Sequence, residues 1–304
     1  MHPVVAVVGP TATGKSDLAV ELALRLDGEV VSADAMQLYR GMDIGTAKLT
    51  LSERRGVPHH QLDVLDVTQE ASLAAYQQSA RADLRDISSR GRVPILTGGS
   101  GLYVRAAVDV LEIPPTDPEV RAALEQRLAA EGTRALYDEL TAADPVAGQS
   151  ILPTNGRRIV RALEVIALTG RPFSAVLPER EYVNRTVQIG LRLDRVALDR
   201  RTDARVTRMW DQGFVAEVQR LEQGGLRSGR TASRAVGYAQ VLAALDGRTT
   251  VDEARTRTAQ ATRRLIRRQE SWFRRDPRIV WLPADAPDLV DRAIEVLDDA
   301  SGPP

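Results

Sequence analysis

The stretch Gly9-Pro-Thr-Ala-Thr-Gly-Lys-Ser16, directly after the apolar run Val4–Val8, decides the reading of this chain. It meets every fixed position of the phosphate-binding loop. A glycine-rich turn between a buried strand and a helix points successive backbone N–H groups inward, where they cradle phosphate oxygens. Lys15 then reaches the outer phosphates, and Ser16 offers its hydroxyl to Mg²⁺. The background sharpens this signal, because Lys15 and Lys48 are the only lysines in 304 residues. Where arginine is used almost everywhere else, a compact ammonium at position 15 points to a need that a planar guanidinium does not meet. Lys48 is open between a role and a surface residue without one.

Outward from the loop, Leu18, Leu22 and Leu26 recur along one helical face. Glu29–Ser32 reads as a second strand ending in Ala33-Asp34, and a polar, turn-rich stretch continues to about Gln69. Leu73–Ile87 has helical periodicity closed by Gly91, and the short strand Val93–Leu96 runs into Thr97-Gly-Gly-Ser-Gly101. Strands alternating with helices predict an α/β fold, a parallel sheet covered on both faces. The texture changes at Ile113-Pro-Pro-Thr-Asp-Pro118, after which 117–131, 134–141 and 155–168 all carry helical patterns. Val187–Leu193 returns to strand, helices resume near Val196, and Ile279–Leu282 reads as a late strand. The order predicts a P-loop α/β core of 1–113 and 187–304, with an all-helical domain, 114–186, inserted between its halves.

Composition bounds the function. Apolar residues make up 43% of the chain, enough for a sizeable core, and the formal net charge is zero, which argues against a generic polyanion binder. Cysteine is absent, which removes disulfides, thiolate nucleophiles and Cys-ligated zinc. The N-terminus enters a strand directly and no apolar run has transmembrane length, so a cytoplasmic protein without a signal peptide or membrane span is expected.

Three further features carry chemistry. Asp34 stands at the carboxyl end of the strand after the loop and its helix, the edge where open α/β sheets bind ligands. A carboxylate there can take a proton from an attacking group, although a structural hydrogen bond is the plainer alternative. The strand Val93–Leu96 does not end in the Asp that nucleotide hydrolases use for Mg²⁺ but in glycines that permit close backbone approach. Finally, Arg157, Arg158 and Arg161 share one side of a helix, opposite Ile159, Leu163 and Ile166. Arg263, Arg264, Arg267, Arg268, Arg274 and Arg275 share an arc of about 140° if one helix continues through them, with Leu265, Trp272 and Phe273 opposite. Such faces suit a nucleic-acid backbone, though each alone is more often simply solvated. His59-His60 has no third His or Cys nearby and reads as structural. Arg234, in Ser233-Arg-Ala-Val-Gly-Tyr238, could face a phosphate or a surface carboxylate.

These motifs, in this order, resemble the tRNA dimethylallyltransferase (tRNA isopentenyltransferase) family. The matching segments are Gly9–Ser16, Ser32–Tyr39, Met42–Lys48, Pro58–His60, Gly98–Tyr103, Asp117–Arg121, Arg157–Val165, Ala235–Tyr238 and Ala261–Trp272. The resemblance implies prenyl transfer from dimethylallyl diphosphate to the exocyclic amine of adenosine 37 of tRNA, with Mg²⁺ as cofactor and the protein a monomer. It implies that Gly9, Pro10, Thr11, Ala12, Thr13, Gly14, Lys15 and Ser16, with Arg234, hold the diphosphate, that Ser16 holds the metal, and that Asp34 is the general base assisted by Lys15 and Ser16. It also implies tRNA contacts from Asp34, Ala35, Met36 and Gln37, from Ser100 and Arg121, from Arg157, Arg158, Ile159, Val160 and Arg161, and from Arg234, Ala235, Val236, Gly237, Tyr238 and Ala239. Two departures stand out: Ala35 where the family often has Ser, and Ser100 where it often has Thr. Residues alone leave three rivals: a small-molecule kinase, disfavoured because no lid with clamping arginines is recognisable; an isopentenyltransferase of free adenine nucleotides; and a non-catalytic RNA-binding protein.

Overall fold

Five apolar residues without alternation form β1 (Val4–Val8), and all five are buried, as a strand covered on both faces requires. A computed structural model describes residues 2–176 and 180–301. The chain continues through α1 (Lys15–Leu26), β2 (Gly28–Ser32), β3 (His59–His60), α2 (Leu73–Ser89), β4 (Val93–Gly98) and α3 (Gly101–Val108). Three helices follow, α4 (Pro118–Ala143), α5 (Pro145–Ser150) and α6 (Gly156–Thr169). The second half of the sheet is then built by β5 (Thr186–Arg192), α7 (Arg195–Asp211), α8 (Phe214–Gln223), α9 (Tyr238–Leu245), α10 (Val251–Phe273), β6 (Ile279–Pro283) and α11 (Leu289–Ser301). Two compact units result, one of Met1–Asp109 with Tyr182–Pro304 and one of Val110–Glu181.

The first unit holds a six-stranded parallel sheet in the order β3-β2-β4-β1-β5-β6. Register matters most for the site. Val8 of β1 pairs with Gly98 of β4, and Ser32 of β2 pairs with Thr97, so three loops leave the sheet at one level. These are Gly9–Ser16, Ala33–Asp34 and Gly98–Gly101. The expected His59-His60 structural role takes the form of a short edge strand: His60 Nε2 lies 2.7 Å from the buried Glu29 carboxylate, and His59 Nδ1 lies 2.9 Å from Val57 O.

The second unit packs α4, α5 and α6 around Leu136, Leu140, Ile151 and Ile159. Two helices expected from the sequence merge into α4, which breaks at Gly132 (φ 81°, ψ 168°). Side chains cap the ends: Asp117 accepts from the Glu119 and Val120 N–H groups, and Asn155 from the Arg158 N–H.

Candidate active site

The phosphate loop keeps the geometry its sequence promises. Gly9 has φ 133° and lies so close to β5 that a Cβ would stand 2.7 Å from Leu191 O, so no other residue fits. Ala12 is held left-handed at φ 69°, an uncommon state for a side-chain-bearing residue. Thr13 closes the turn by donating its hydroxyl to Pro10 O at 2.9 Å. The Lys15 ammonium donates to the same carbonyl at 2.6 Å. Burial, and then the neighbouring Arg205 charge, bring Lys15 from its ordinary 10.5 down to about 7, against the opposing pull of Asp34.

Lys15 and Asp34 line one cleft of about 710 Å³, together with Ser16, Gln37 and the turn Thr97–Gly99. Asp34 is shaped by local bonds: its Oδ1 accepts from Met36 N at 2.9 Å, and its own N–H donates to Ser32 Oγ at 3.3 Å. Ser100, at the start of α3, accepts from Ala35 N at 3.4 Å, which ties segment 34–37 to the glycine turn. Gln37 accepts from Ser32 Oγ at 3.1 Å and donates to Thr46 O at 3.3 Å.

The opposite wall holds what sequence reading missed. Arg201, Arg205 and Arg208 of α7 line the same cleft, and Arg205 Nη2 donates to Thr46 O at 3.2 Å. Burial lowers Arg205 from its ordinary value while Asp34 supports its charge. Arginines facing the phosphate loop are therefore present. Their spacing of three and four residues puts them on one face of α7 and was readable, but nothing local showed which way that face turned.

Lys48 is not a surface residue. It is buried, and its ammonium donates to Tyr39 O at 2.9 Å, Asp43 Oδ1 at 2.7 Å and Asp63 Oδ1 at 2.6 Å. Three point-like donors match three acceptors in a small space. The loop it anchors is held from the other side by Glu217, whose carboxylate accepts from the N–H groups of Asp43, Ile44 and Gly45 at 3.1, 2.8 and 3.2 Å. Tyr238 donates its hydroxyl to the same carboxylate at 2.7 Å. Glu217→Gln would turn an acceptor into a donor facing backbone N–H groups. It is expected to destabilise the protein by about 2 kcal/mol, read as a lower urea midpoint with an unchanged slope.

The residues with implied RNA contacts divide by exposure. Arg157, Arg158 and Arg234 are exposed. Ile159, Val160, Ala235 and Tyr238 are buried, Ile159 and Tyr238 completely, so they offer RNA little or no surface of their own. Arg121 and Arg161 both bond the buried Glu164 carboxylate, at 2.7 and 2.8 Å, and Arg161 also donates to Pro114 O and Pro115 O. Of the arginines in that arc, Arg264, Arg267 and Arg268 are exposed on α10, while Arg263 pairs with Asp203; Arg257, earlier on the helix, is exposed and pairs with Glu253. The helix ends at Phe273 with Arg274 as its cap, still in helical geometry and donating its N–H to Glu270 O at 3.0 Å, so the arc carries to Arg274 and Arg275 lies beyond it. Trp272 is 41% exposed instead of facing the core, and Ile266 takes the buried position.

A parallel sheet, a glycine-rich loop at its carboxyl edge and a cleft shared by Lys15 and Asp34 define an α/β fold with a P-loop-like core. A family model described as IPP transferase matches residues 37–276, and the chain belongs to that family. It is 63% identical over 309 residues to a tRNA dimethylallyltransferase of Kineococcus radiotolerans, covering 98% of each chain. It is 65% identical over 288 residues to one of Streptomyces avermitilis, covering 95% of this chain and 92% of that one. Among solved structures, the full-length tRNA isopentenylpyrophosphate transferase of Bacillus halodurans is 39% identical with a TM-score of 0.72, covering 99% and 96% of the two chains. A eukaryotic dimethylallyltransferase acting on tRNA is 25% identical with a TM-score of 0.83, covering 100% of this chain and 81% of that one.

Proposed function

We propose that this enzyme transfers the dimethylallyl group of dimethylallyl diphosphate to the exocyclic amine of adenosine 37 in tRNA, beside the anticodon. The observation that carries the reading is the single cleft lined by both Lys15 and Asp34, in a chain of the IPP transferase family. In the reaction the allylic C–O bond breaks and diphosphate leaves with its electron pair. The adenine N6–C bond forms, and the N6 proton passes to Asp34. Loop N–H groups, Lys15 and Arg205 stabilise the charge that develops on the departing diphosphate. Adenine N6 is a poor nucleophile because its lone pair is delocalised, so a carboxylate that takes its proton lowers the barrier. The base must leave its stack to enter such a cleft.

Mg²⁺ would be held by the Ser16 hydroxyl and would neutralise diphosphate charge. Ser16 lines the same cleft as Lys15 and Asp34, which puts its hydroxyl beside the expected phosphates. Arg234, expected at the diphosphate, is assigned to RNA here, because it is exposed and does not line the cleft. Among the described residues no helix is long and apolar enough to cross a membrane. We read the enzyme as working in the cytoplasm, where its tRNA substrate is found.

The helical unit supplies RNA contacts through Arg157 and Arg158. Exchanging both for Gln is expected to weaken tRNA binding and reduce the slope of log K against log salt by about 1 to 2. An unchanged slope would remove this helix from the RNA face. The function itself is tested with radiolabelled dimethylallyl diphosphate, Mg²⁺ and either unmodified tRNA or AMP, followed by nucleoside analysis. Label on adenosine of the tRNA alone is the expected result. Label on AMP, or phosphate transfer from ATP with no label on either, would replace the reading.

A further inference from the structure

One buried polar side chain touches the phosphate loop without belonging to it. Gln269 sits on α10, is 8% exposed, and its Oε1 accepts the Thr11 N–H at 2.8 Å across 258 residues of sequence. Its side-chain nitrogen faces the other glycine turn: a Cβ on Gly99 would stand 2.5 Å from it and 3.4 Å from Gly9 O. The Gln269 amide thus occupies the seam between the two turns that line the cleft. A third contact fixes its helix there, because a Cβ on Gly101 would meet Trp272 at 2.0 Å.

We propose that Gln269 is a positioning residue that holds the phosphate loop in its anion-binding shape, with Gly99 kept side-chain-free to admit it. The proposal rests on the reading that the loop binds diphosphate. The physical reason lies in the loop's backbone. Ala12, next to Thr11, is held left-handed at φ 69°, an uncommon conformation for a residue that carries a side chain. By accepting the Thr11 N–H, Gln269 satisfies a donor in the middle of the loop and fixes the loop against a rigid helix. The ordering cost is met before the ligand arrives, which strengthens binding without new contacts to it. The same helix exposes Arg264, Arg267 and Arg268, so the loop is pinned by an element that also presents a cationic face.

Gln269→Met keeps the volume and removes the acceptor. Calorimetry with inorganic pyrophosphate and Mg²⁺ is expected to show affinity lowered by about five- to tenfold, the worth of one preorganising hydrogen bond. KM for dimethylallyl diphosphate should rise in step, while kcat and tRNA affinity stay within about twofold; the melting temperature falls by only a few degrees, the cost of the orphaned Thr11 N–H. A double-mutant cycle gives the second readout. Gly99→Ala should weaken pyrophosphate binding in the wild-type background and cost little more in a Gln269→Ala background, where no amide remains to collide with the new methyl. Additive losses, an unchanged pyrophosphate affinity, or parallel losses of tRNA affinity and thermal stability would overturn the assignment. Wild-type enzyme that binds no pyrophosphate, or binds it equally well after Lys15→Met, would instead overturn the diphosphate reading, and the proposal with it.

Discussion

Asp34→Asn is expected to lower the turnover of prenyl transfer by about 10³-fold and to leave tRNA affinity within about threefold. Asparagine is the informative choice because the proposed base also shapes its own turn. Its Oδ1 accepts the Met36 N–H at 2.9 Å and so shapes the turn that carries Met36 and Gln37. An amide oxygen keeps that bond, so the variant preserves the local fold. What it cannot do is take a proton from adenine N6 as the new bond forms. Asp34→Ala would lose both functions and confuse them. Single-turnover rates with saturating substrates, beside filter binding of tRNA, separate chemistry from affinity. An Asn variant with near-normal turnover would leave Asp34 a turn residue and send the proton elsewhere.

The second large effect concerns Lys15. Lys15→Arg is expected to fail by about 10²- to 10³-fold in kcat/KM, despite retaining the charge. The ammonium is seated against Pro10 O at 2.6 Å and already shares its surroundings with Arg205. A planar fork is larger than that seat, and a second guanidinium would duplicate the one that α7 supplies. The lowered pKa adds a pH test whose sign is set by the direction of the shift. The protonated form pairs with diphosphate, and the free enzyme holds Lys15 at about 7. Affinity for the diphosphate therefore declines as pH rises through about 7, and at about pH 8 binding draws a proton onto Lys15. Calorimetry in buffers of different ionisation enthalpy, corrected for the ligand's own protonation, reads that uptake. Lys15→Met should abolish it, and uptake that persists in the variant would assign the proton to another group.

Much of this was legible in the residues because it is local. The loop motif, its strand and its helix occupy one continuous segment, so the spacing of Gly9, Gly14, Lys15 and Ser16 carries the chemistry directly. Val4–Val8 and Val93–Leu96 read as covered strands because an unbroken apolar run has no other home in an α/β core, and β4 runs on to Gly98. The extent of the C-terminal arginine arc depends on where α10 ends. Arginine periodicity continues to Arg275, but the helix stops at Phe273 and Arg274 is already its cap. Periodicity reports a face only while the helix lasts.

The sequence by itself determined the parallel α/β core, the phosphate loop, the position of Asp34 at the sheet edge and the exposed Arg157–Arg158 pair, all of which depend on neighbours a few residues apart. Only the tertiary structure decided which arginines face the phosphate loop, that Lys48 is a buried anchor, that Glu217 holds the Asp43–Gly45 backbone, and that Gln269 holds Thr11. Those bonds join groups 173 and 258 residues apart in the cases of Glu217 with Ile44 and Gln269 with Thr11. No periodicity or motif spacing encodes such a pair. Its members meet because the sheet order brings α7, α8 and α10 against the loops at its carboxyl edge, and the energy of each contact exists only once that packing has formed.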